Sequence, residues 1–202
     1  MSFNIKDFKS NLRYGGARAN LFEVQMGYPP GLNISGQDIE LNEFSRRLKF
    51  LCKIATIPES SITPVMVPFQ GREIYTAGFK TFEPLTITII NDEDFYVRAA
   101  FETWIGAING HNSNTKNSGI NSSPSSYQVD GLVKQYSQSA LLPTPENRYK
   151  LDEVEPSAIR TYKFVNMFPI TVSSIEVNWN KNEIEEFSVT FRYDYWVIAP
   201  NE

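Results

Sequence analysis

The sequence predicts a mainly β protein, an antiparallel barrel or sandwich with one flanking α-helix at about residues 92–108. Apolar and polar residues alternate with period two in several segments, which is typical of half-buried strands. A single segment has clear helical periodicity instead, and turn residues separate the segments. With 202 residues, 41% of them hydrophobic, the chain can build one sizeable core. We therefore expect a single domain over residues 1–202.

The alternation is clearest in four segments: residues 21–26, 85–89, 175–179 and 187–195. The last of them places a run of aromatic and aliphatic side chains on one face, namely Phe187, Val189, Phe191, Tyr193 and Tyr195. Ile184 breaks this parity, so we expect a bulge or a longer turn near Glu183. Phe50, Cys52 and Ile54 predict a further strand, whereas residues 37–48 fit either a short helix or a hairpin arm.

The predicted helix carries one apolar stripe with the spacing i, i+3, i+4, i+7, formed by Val97, Ala100, Phe101, Trp104, Ile105 and Ile108. Asn91 or Asp92 is placed to cap its first turn, and the acids at 92–94 suit the positive end of the helix dipole. Asn109 and Gly110 predict its end.

Polar or proline-rich segments interrupt this pattern. Residues 1–16 form a polar N-terminal arm, and loop excursions are expected at 28–45, 109–126 and 138–158. Residues 109–126 hold five Asn and six Ser with a single aliphatic residue, so they predict a solvated loop.

Residues for catalysis or metal binding are scarce. The single histidine, His111, lies in the Asn/Ser loop, and the single cysteine, Cys52, lies in a predicted strand. Neither has the partner that a nucleophilic or zinc site requires. We expect no enzyme activity, no metal and no cofactor. The run Arg46, Arg47, Lys49 and Lys53 predicts a solvated surface or a contact with an acidic partner.

The ends and the charge of the chain exclude further classes. The start MSFNIKDFKS lacks the apolar stretch of a secretory signal, and no apolar run approaches the length of a membrane helix. We therefore expect a soluble intracellular protein without stable membrane binding. The net charge of -4 argues against tight nucleic-acid binding. Most of the acidity lies in residues 151–202, with nine acids and four bases.

The segment ITPVMVPFQGREIYTAG, residues 62–78, predicts a hairpin that lies at a sheet edge or projects from the domain. Val65, Val67 and Phe69 alternate, and Gly71 marks the turn. Proline cannot donate to a sheet ladder, so Pro64 and Pro68 exclude a central strand.

The order of the motifs resembles a known family. The chain contains, in sequence, ANLFEV, FLCKIATIPES, VPFQGREIYTAGFKTFEPLTITIINDED, VRAAFETWIGAI and IEVNWNKNEIEEFSVTFRYDYW. This series is similar to the tail tube proteins of contractile-tailed phages of the T4 type, over roughly three quarters of the chain.

The resemblance implies a structural subunit that closes into hexameric rings, which stack into a hollow tube inside a contractile sheath and conduct the genome. The implied partners are further copies of the chain, the sheath protein, and the baseplate and tail-terminator proteins. DNA passes through without stable binding. The implied location is the virion tail, after assembly in the cytoplasm of the host bacterium.

Two sets of residues follow as candidate sites. The expected assembly hairpin, which reaches a neighbouring subunit, comprises Pro64, Pro68, Gly71, Arg72, Ile74, Tyr75 and Gly78. The acidic C-terminal part is compatible with a channel wall that repels DNA, with Glu176, Glu183, Glu185, Glu186 and Asp194 as lumen-facing acids.

Two other interpretations stay open. Within the same fold, the chain could be a tube-initiating baseplate protein or the tube of a phage-like injection or secretion machine. In a different class, Trp179, Trp196 and the tyrosines would form the stacking platform of a β-rich carbohydrate-binding module. The period-two placement of these aromatic residues predicts burial, which disfavours the platform.

Overall fold

The computed structural model describes residues 4–12, 16–30, 33–34, 37–38, 41–110, 123–137 and 158–200. The helices are α1 (Ile5–Asn11), α2 (Leu41–Leu51) and α3 (Tyr96–Ile108). The strands are β1 (Phe22–Met26), β2 (Asn33–Ile34), β3 (Gln37–Asp38), β4 (Cys52–Thr56), β5 (Ser60–Phe69), β6 (Arg72–Phe82), β7 (Leu85–Ile90), β8 (Val129–Tyr136), β9 (Ala158–Val172), β10 (Glu186–Arg192) and β11 (Tyr195–Ala199).

Seven strands form one antiparallel sheet in the order β1-β8-β9-β10-β7-β4, and β11 pairs with β9 beside β10. The long strand predicted over residues 187–195 is thus divided into β10 and β11, which pair one after the other along the same edge of β9. Val189 of β10 pairs with Val172, and Tyr195 of β11 pairs with Val165 of the same strand. Strands β1 and β4 end the sheet without pairing to each other, so it is open and fits a sandwich rather than a closed barrel.

The core lies between one face of this sheet and the helices α2 and α3. The predicted alternation is confirmed, because the apolar residues of β7 and β10 are buried while the residues between them are partly exposed. The buried set from these strands and α3 is Leu85, Ile87, Ile89, Phe187, Val189, Phe191, Val97, Ala100, Phe101 and Trp104. The helical stripe predicted from spacing therefore faces the sheet.

Trp104 occupies the centre of this core and is fully buried. Its indole Nε1 donates a hydrogen bond to the carbonyl oxygen of Tyr127 at 2.9 Å. Its ring lies parallel to Phe101 at 6.3 Å and edge-on to Tyr28 at 5.5 Å. Tyr28 in turn donates its hydroxyl to the carbonyl of Ala100 at 2.8 Å. Aromatic packing with satisfied polar ends thus ties α3 to the loops on both sides of it.

The sequence left residues 37–48 open, and the structure places a second flanking helix, α2, there. Phe44 and Leu48, four residues apart, are fully buried against the sheet. Phe50 belongs to this helix and is 71% exposed, so the strand predicted from Phe50 begins only at Cys52. The alternation of Phe50 with Cys52 was misleading, because Phe50 is on the solvent side of α2.

Helix α3 begins at Tyr96, and the predicted capping by Asn91 or Asp92 is wrong. Its N-cap is Phe95, at φ 53°, without a side-chain cap bond. Asn91 is buried and donates its side-chain amide to Glu185 at 3.1 Å, and Asp92 binds Arg47. These polar side chains thus join other elements instead of the helix terminus.

The strand predicted at 175–179 is also wrong. Residues 173–185, here called the C-terminal loop, connect β9 to β10 without strand structure. Val177 is 82% exposed, Ile184 is 74% exposed and Trp179 is fully exposed. In the described part of the chain, these three side chains pack against no sheet. The longer turn expected near Glu183 is confirmed, since β10 begins at Glu186.

Several predicted segments lie wholly or partly outside the described residues. In the N-terminal arm, residues 1–3 and 13–15 are outside them, and the remainder contains α1, which has no buried residue. Most of the expected loops 109–126 and 138–158, including His111, and parts of 28–45 are outside as well.

Candidate assembly site

The predicted hairpin is confirmed as a ribbon of its own. Strands β5 and β6 pair with each other from Ser60–Phe82 to Phe69–Arg72 and form a two-stranded sheet separate from the main one. The turn residues Gln70 and Gly71 both have positive φ, 45° and 80°. Two such residues define a type I′ turn, the connection whose twist suits a two-residue hairpin.

Apolar side chains predominate on both faces of this hairpin, beside Arg72 and Thr76 on one face and Glu73 on the other. Every residue from 60 to 77 is exposed in the subunit. One face presents Val65, Val67, Phe69 and Ile74, and the other presents Pro64, Met66, Pro68 and Tyr75. A two-stranded ribbon with apolar side chains on both sides is marginally stable in water and needs a covering surface. The geometry therefore suits contact with other molecules on both faces.

The base of the hairpin is fixed to the domain near the junction of β10 and β11. Phe82 packs edge-on against Tyr193 at 6.3 Å and against Trp196 at 6.2 Å. The Tyr193 hydroxyl donates to the carbonyl of Glu83 at 2.5 Å, and burial raises the pKa of this phenol to about 12. The ribbon thus projects in a direction set by the domain core.

A bulge gives the ribbon its shape. Ile62 pairs with Lys80 and Pro64 with Ala77, so Gly78 and Phe79 together face one residue of β5. A Cβ on Gly78 would lie 2.5 Å from the carbonyl oxygen of Thr63 and 2.9 Å from Val65 Cγ2. Only glycine permits this close approach of the two backbones.

We expect Gly78→Ala to abolish or strongly reduce tube formation, because the added methyl displaces the Thr63 backbone and redirects the outer half of the ribbon. Electron microscopy of purified protein measures the tubes, and circular dichroism measures the fold. Gly71→Asn is the matched control: its Cβ meets nothing within 4 Å, and asparagine tolerates positive φ. Equal tube yields from both variants would contradict the role assigned to the bulge.

The structure brings four of the five expected lumen acids together and leaves one apart. Glu176, Glu183 and Glu185 lie on the C-terminal loop and Glu186 follows it, whereas Asp194 lies between β10 and β11. Four of these carboxylates have partners in the subunit: Glu176 binds Lys181 at 2.9 Å, Glu185 accepts from Asn91 at 3.1 Å, Glu186 binds Lys53 at 2.5 Å and Asp194 accepts from Asn166 at 2.6 Å. Their position on the channel wall stays a prediction.

The basic run contacts acids of the same subunit. Arg47 reaches Glu43 at 2.6 Å, Asp92 at 3.0 Å and Asp94 at 2.5 Å, and its guanidinium lies 4.7 Å from the centre of the Tyr96 ring. Its hydrogen bond lowers the pKa of Asp94 below its ordinary value. Arg47 thus clamps α2 to the segment before α3, a role that the sequence pattern did not indicate.

Lys49, next in this run, binds the buried carboxylate of Glu23 at 3.1 Å, and Tyr136 donates its hydroxyl to the same oxygen at 2.6 Å. Burial raises the pKa of Glu23, but the hydrogen bonds from Tyr136, Lys49 and Gln25 outweigh it, and the net pKa is lower than usual. The ionised form is therefore the one the fold stabilises.

The residues that could carry chemistry have no arrangement for it in the described structure. Cys52 is half-buried, and burial raises the pKa of its thiol to about 12, so the thiolate is scarce at neutral pH. Among residues 4–12, 16–30, 33–34, 37–38, 41–110, 123–137 and 158–200, no three His, Cys, Asp or Glu side chains group as metal ligands. In the same ranges, no helix has the length and apolarity needed to cross a membrane.

The two tryptophans of the carbohydrate interpretation differ in environment. Trp179 is fully exposed, so the burial predicted for it is wrong. Trp196 is half-buried, with its ring edge-on to Tyr162 at 5.6 Å and to Phe82 at 6.2 Å. Aromatic side chains of the same chain therefore already pack against Trp196, which leaves Trp179 as the exposed member of the pair.

Comparison with known proteins identifies relatives across almost the whole chain. The phage tail tube protein family matches residues 17–199. The tail tube protein gp19 of Enterobacteria phage T4 is 28% identical over 181 residues, covering 89% of this chain and 90% of the relative. The tail tube protein of Serratia phage KSP90 is 27% identical over 112 residues, covering 54% of this chain and 59% of the relative.

Solved structures share the fold. A chain of the sheath–tube complex of an extracellular contractile injection system superposes with a TM-score of 0.53 at 13% identity, covering 98% of this chain and 99% of that one. A chain of the tube terminating cap of the anti-feeding prophage has a TM-score of 0.53 at 13% identity, covering 91% and 90%. Because the family match extends from residue 17 to residue 199, the chain belongs to the phage tail tube protein family.

Proposed function

We propose that this chain is the structural subunit of the tube of a contractile phage tail, polymerising as stacked hexameric rings into a hollow conduit for the genome. The observation that carries the proposal is the projecting hairpin, exposed along its length and apolar on both faces. Such a surface is stable in water only when other molecules cover it. Further copies of the same chain are the cover in a tube.

The exposed apolar area of the hairpin predicts that assembly is cooperative. Six of its aliphatic and aromatic side chains (Val65, Met66, Val67, Phe69, Ile74 and Tyr75) are between 46% and 61% exposed. Covering the exposed half of a side chain contributes about 1 kcal/mol, so one hairpin supplies on the order of 5 kcal/mol. Association of two proteins costs roughly 4–15 kcal/mol, so a single contact is weak. A subunit that contacts several neighbours, within its ring and in the adjacent rings, gains more free energy than association costs.

The proposed partners follow from the same role. The tube lies within a sheath and meets baseplate and tail-terminator proteins at its ends. The fold shared with chains from a sheath–tube complex and a tube terminating cap supports this arrangement. The subunits assemble in the cytoplasm of the host bacterium and end in the virion tail. The chain acts without catalysis, and DNA passes without stable binding.

The proposed channel wall includes acids of the C-terminal loop. Glu176 and Glu183 are exposed there, and the chain as a whole carries a net charge of -4. Negative charge on the wall repels phosphates and keeps the genome from adhering during passage. A reconstruction of the tube that places these two carboxylates on the outer surface would overturn this part of the proposal.

The second candidate is the tube of a phage-like injection machine or a tube-initiating baseplate protein. The fold shared with an extracellular contractile injection system favours it, since that fold serves both kinds of machine. Purified subunits separate polymer from initiator: long tubes indicate a polymer, whereas a stable single ring indicates an initiator.

The test of the proposed function removes the hairpin. Replacing residues 64–78 by a two-residue Asn-Gly turn leaves the core untouched, because residues 60–77 are all exposed. We expect a folded subunit with an unchanged circular dichroism spectrum and no tubes in electron micrographs, at concentrations where the unaltered chain polymerises. Tubes of normal length from the shortened chain would refute the assembly role of the hairpin.

A further inference from the structure

The two long edges of the hairpin differ in the hydrogen bonds they can still form. Phe69 and Arg72 flank the type I′ turn. The N–H and C=O groups of each are therefore hydrogen-bonded to those of the other. In an antiparallel pair, bonded and non-bonded positions alternate. The pairs Val67–Ile74 and Val65–Thr76 are then hydrogen-bonded through their backbones. The residues between them direct their N–H and C=O groups away from the partner strand.

On β5 the outward positions are Pro64, Met66 and Pro68. Proline has no backbone N–H, so among these three positions only Met66 offers a donor. The three carbonyls remain as acceptors, but a regular ladder requires donors and acceptors in alternation. The β5 edge is thus closed to a further strand, as edge prolines close the sheets of many soluble proteins.

On β6 the outward positions are Glu73, Tyr75 and Ala77, which pair across the ribbon with Pro68, Met66 and Pro64. Each of these three residues has both its N–H and its C=O directed away from β5. No third strand pairs with β6 within the described parts of the chain. This edge therefore has a complete set of backbone groups for strand addition.

We propose that the hairpin joins a second copy of the chain through the backbone of β6, by adding this strand to a free sheet edge of its neighbour. The inference deepens the proposed function and rests on it. In the described chain, three strands of the main sheet pair on one side only, namely β1, β4 and β11, and each leaves a free edge. Strand β4 is more exposed than β1, and its Ile54, 48% exposed, lies beside a cavity of about 410 Å³ that Phe22 and Ile57 also line.

The unequal edges make the contact directional. A ribbon open on one side accepts one strand, so the interface joins two different surfaces of the two copies and closes into a ring when the rotation permits. A ribbon open on both sides would pair without limit and form β-fibres. Pro64 and Pro68 thereby restrict the hairpin to one partner strand, while its two apolar faces remain free for side-chain contacts.

Two proline variants at one cross-strand pair test the inference. Tyr75→Pro removes an outward N–H from β6, and Met66→Pro removes the opposing outward N–H from β5. Neither change touches a ladder bond within the hairpin, so both ribbons keep their internal pairing. Tyr75→Ala removes the phenol ring but keeps the N–H, which separates the side chain from the backbone.

We expect Tyr75→Pro to raise the subunit concentration needed for tube formation by about tenfold or more. Met66→Pro should polymerise within about twofold of the unaltered chain, and the threshold for Tyr75→Ala should lie between these two. Sedimentation of tubes across a concentration series measures all three. Equal thresholds for the two proline variants would overturn strand addition along β6. If they are equal while the chain without residues 64–78 still fails to polymerise, the proposed function stands and the hairpin acts through its faces alone.

Discussion

Replacing Trp104 by alanine is expected to lower the free energy of unfolding of the subunit by about 3–5 kcal/mol. The side chain is fully buried, so its removal leaves a cavity between α3 and the aromatic residues that pack on it. It also leaves the carbonyl of Tyr127 without its donor. Since domains of this size are stable by about 5–15 kcal/mol, much of the stability is lost.

Trp179→Ala is the matched control, because the same residue type is fully exposed there. Its free energy of unfolding should change by less than about 0.5 kcal/mol. Urea denaturation of unassembled subunits, separated by size-exclusion chromatography, measures both variants. Similar losses for the two tryptophans would show that the core is not centred on α3.

The next largest effect is expected at Arg47, whose replacement by alanine should cost about 2 kcal/mol. The change leaves Asp92 and Asp94 without their shared cation and removes the contact with the Tyr96 ring. Helix α2 then loses its connection to the start of α3. Denaturation of unassembled subunits at neutral pH measures the loss.

Arg46→Ala is the control at the neighbouring position, since Arg46 is 61% exposed and pairs only with Glu43 among the ion pairs of the described chain. Its loss should leave the denaturation midpoint unchanged within the error of the measurement, because an exposed ion pair is screened by water. Arg46 and Arg47 hold the pKa of Glu43 at about 2, and Arg47 lowers that of Asp94. A carboxylate whose pKa is lowered by folding stabilises the folded state at pH values above its unfolded pKa. The loss of stability in Arg47→Ala should therefore shrink as the pH falls below about 4. A defect that is independent of pH would show that packing, not charge, holds α2.

The sequence predicted those elements whose burial pattern is simple. Leu85, Ile87 and Ile89 alternate over a strand with one buried face, and the stripe through Phe101 and Trp104 has an unbroken helical period. Each pattern is compatible with one secondary structure only, because a single face of the element packs against the core. The hairpin could be predicted as well, since Pro64 and Pro68 exclude the centre of a sheet.

Other elements could not be predicted because their environment lies outside the local pattern. Helix α2 buries mainly Phe44 and Leu48 and exposes Phe50, so its sequence fits two periods at once. In the C-terminal loop, Val177 and Trp179 have the spacing of a strand. Both are nevertheless exposed, because no part of the described chain covers them. Alternation in the sequence is the same whether an apolar side chain is buried in the core of its own subunit or lies on the surface.

The candidate site shows a further limit of sequence reasoning. The prolines indicate an edge, but which edge they close follows only from the pairing of Met66 with Tyr75 and from the two-residue turn. The crowding at Gly78 likewise depends on the bulge opposite Thr63. Register is set by the turn and by neighbouring strands, so it becomes visible only in three dimensions.

As the proposed assembly contact, the apolar hairpin would also determine how temperature acts on the polymer. Water ordered around Val65, Val67 and Ile74 in the free subunit is released when a neighbour covers them. Near room temperature such an association gains entropy and lowers the heat capacity. Apolar attraction weakens on cooling, so we expect tubes held by this contact to be firmer in a warm host and to loosen in the cold.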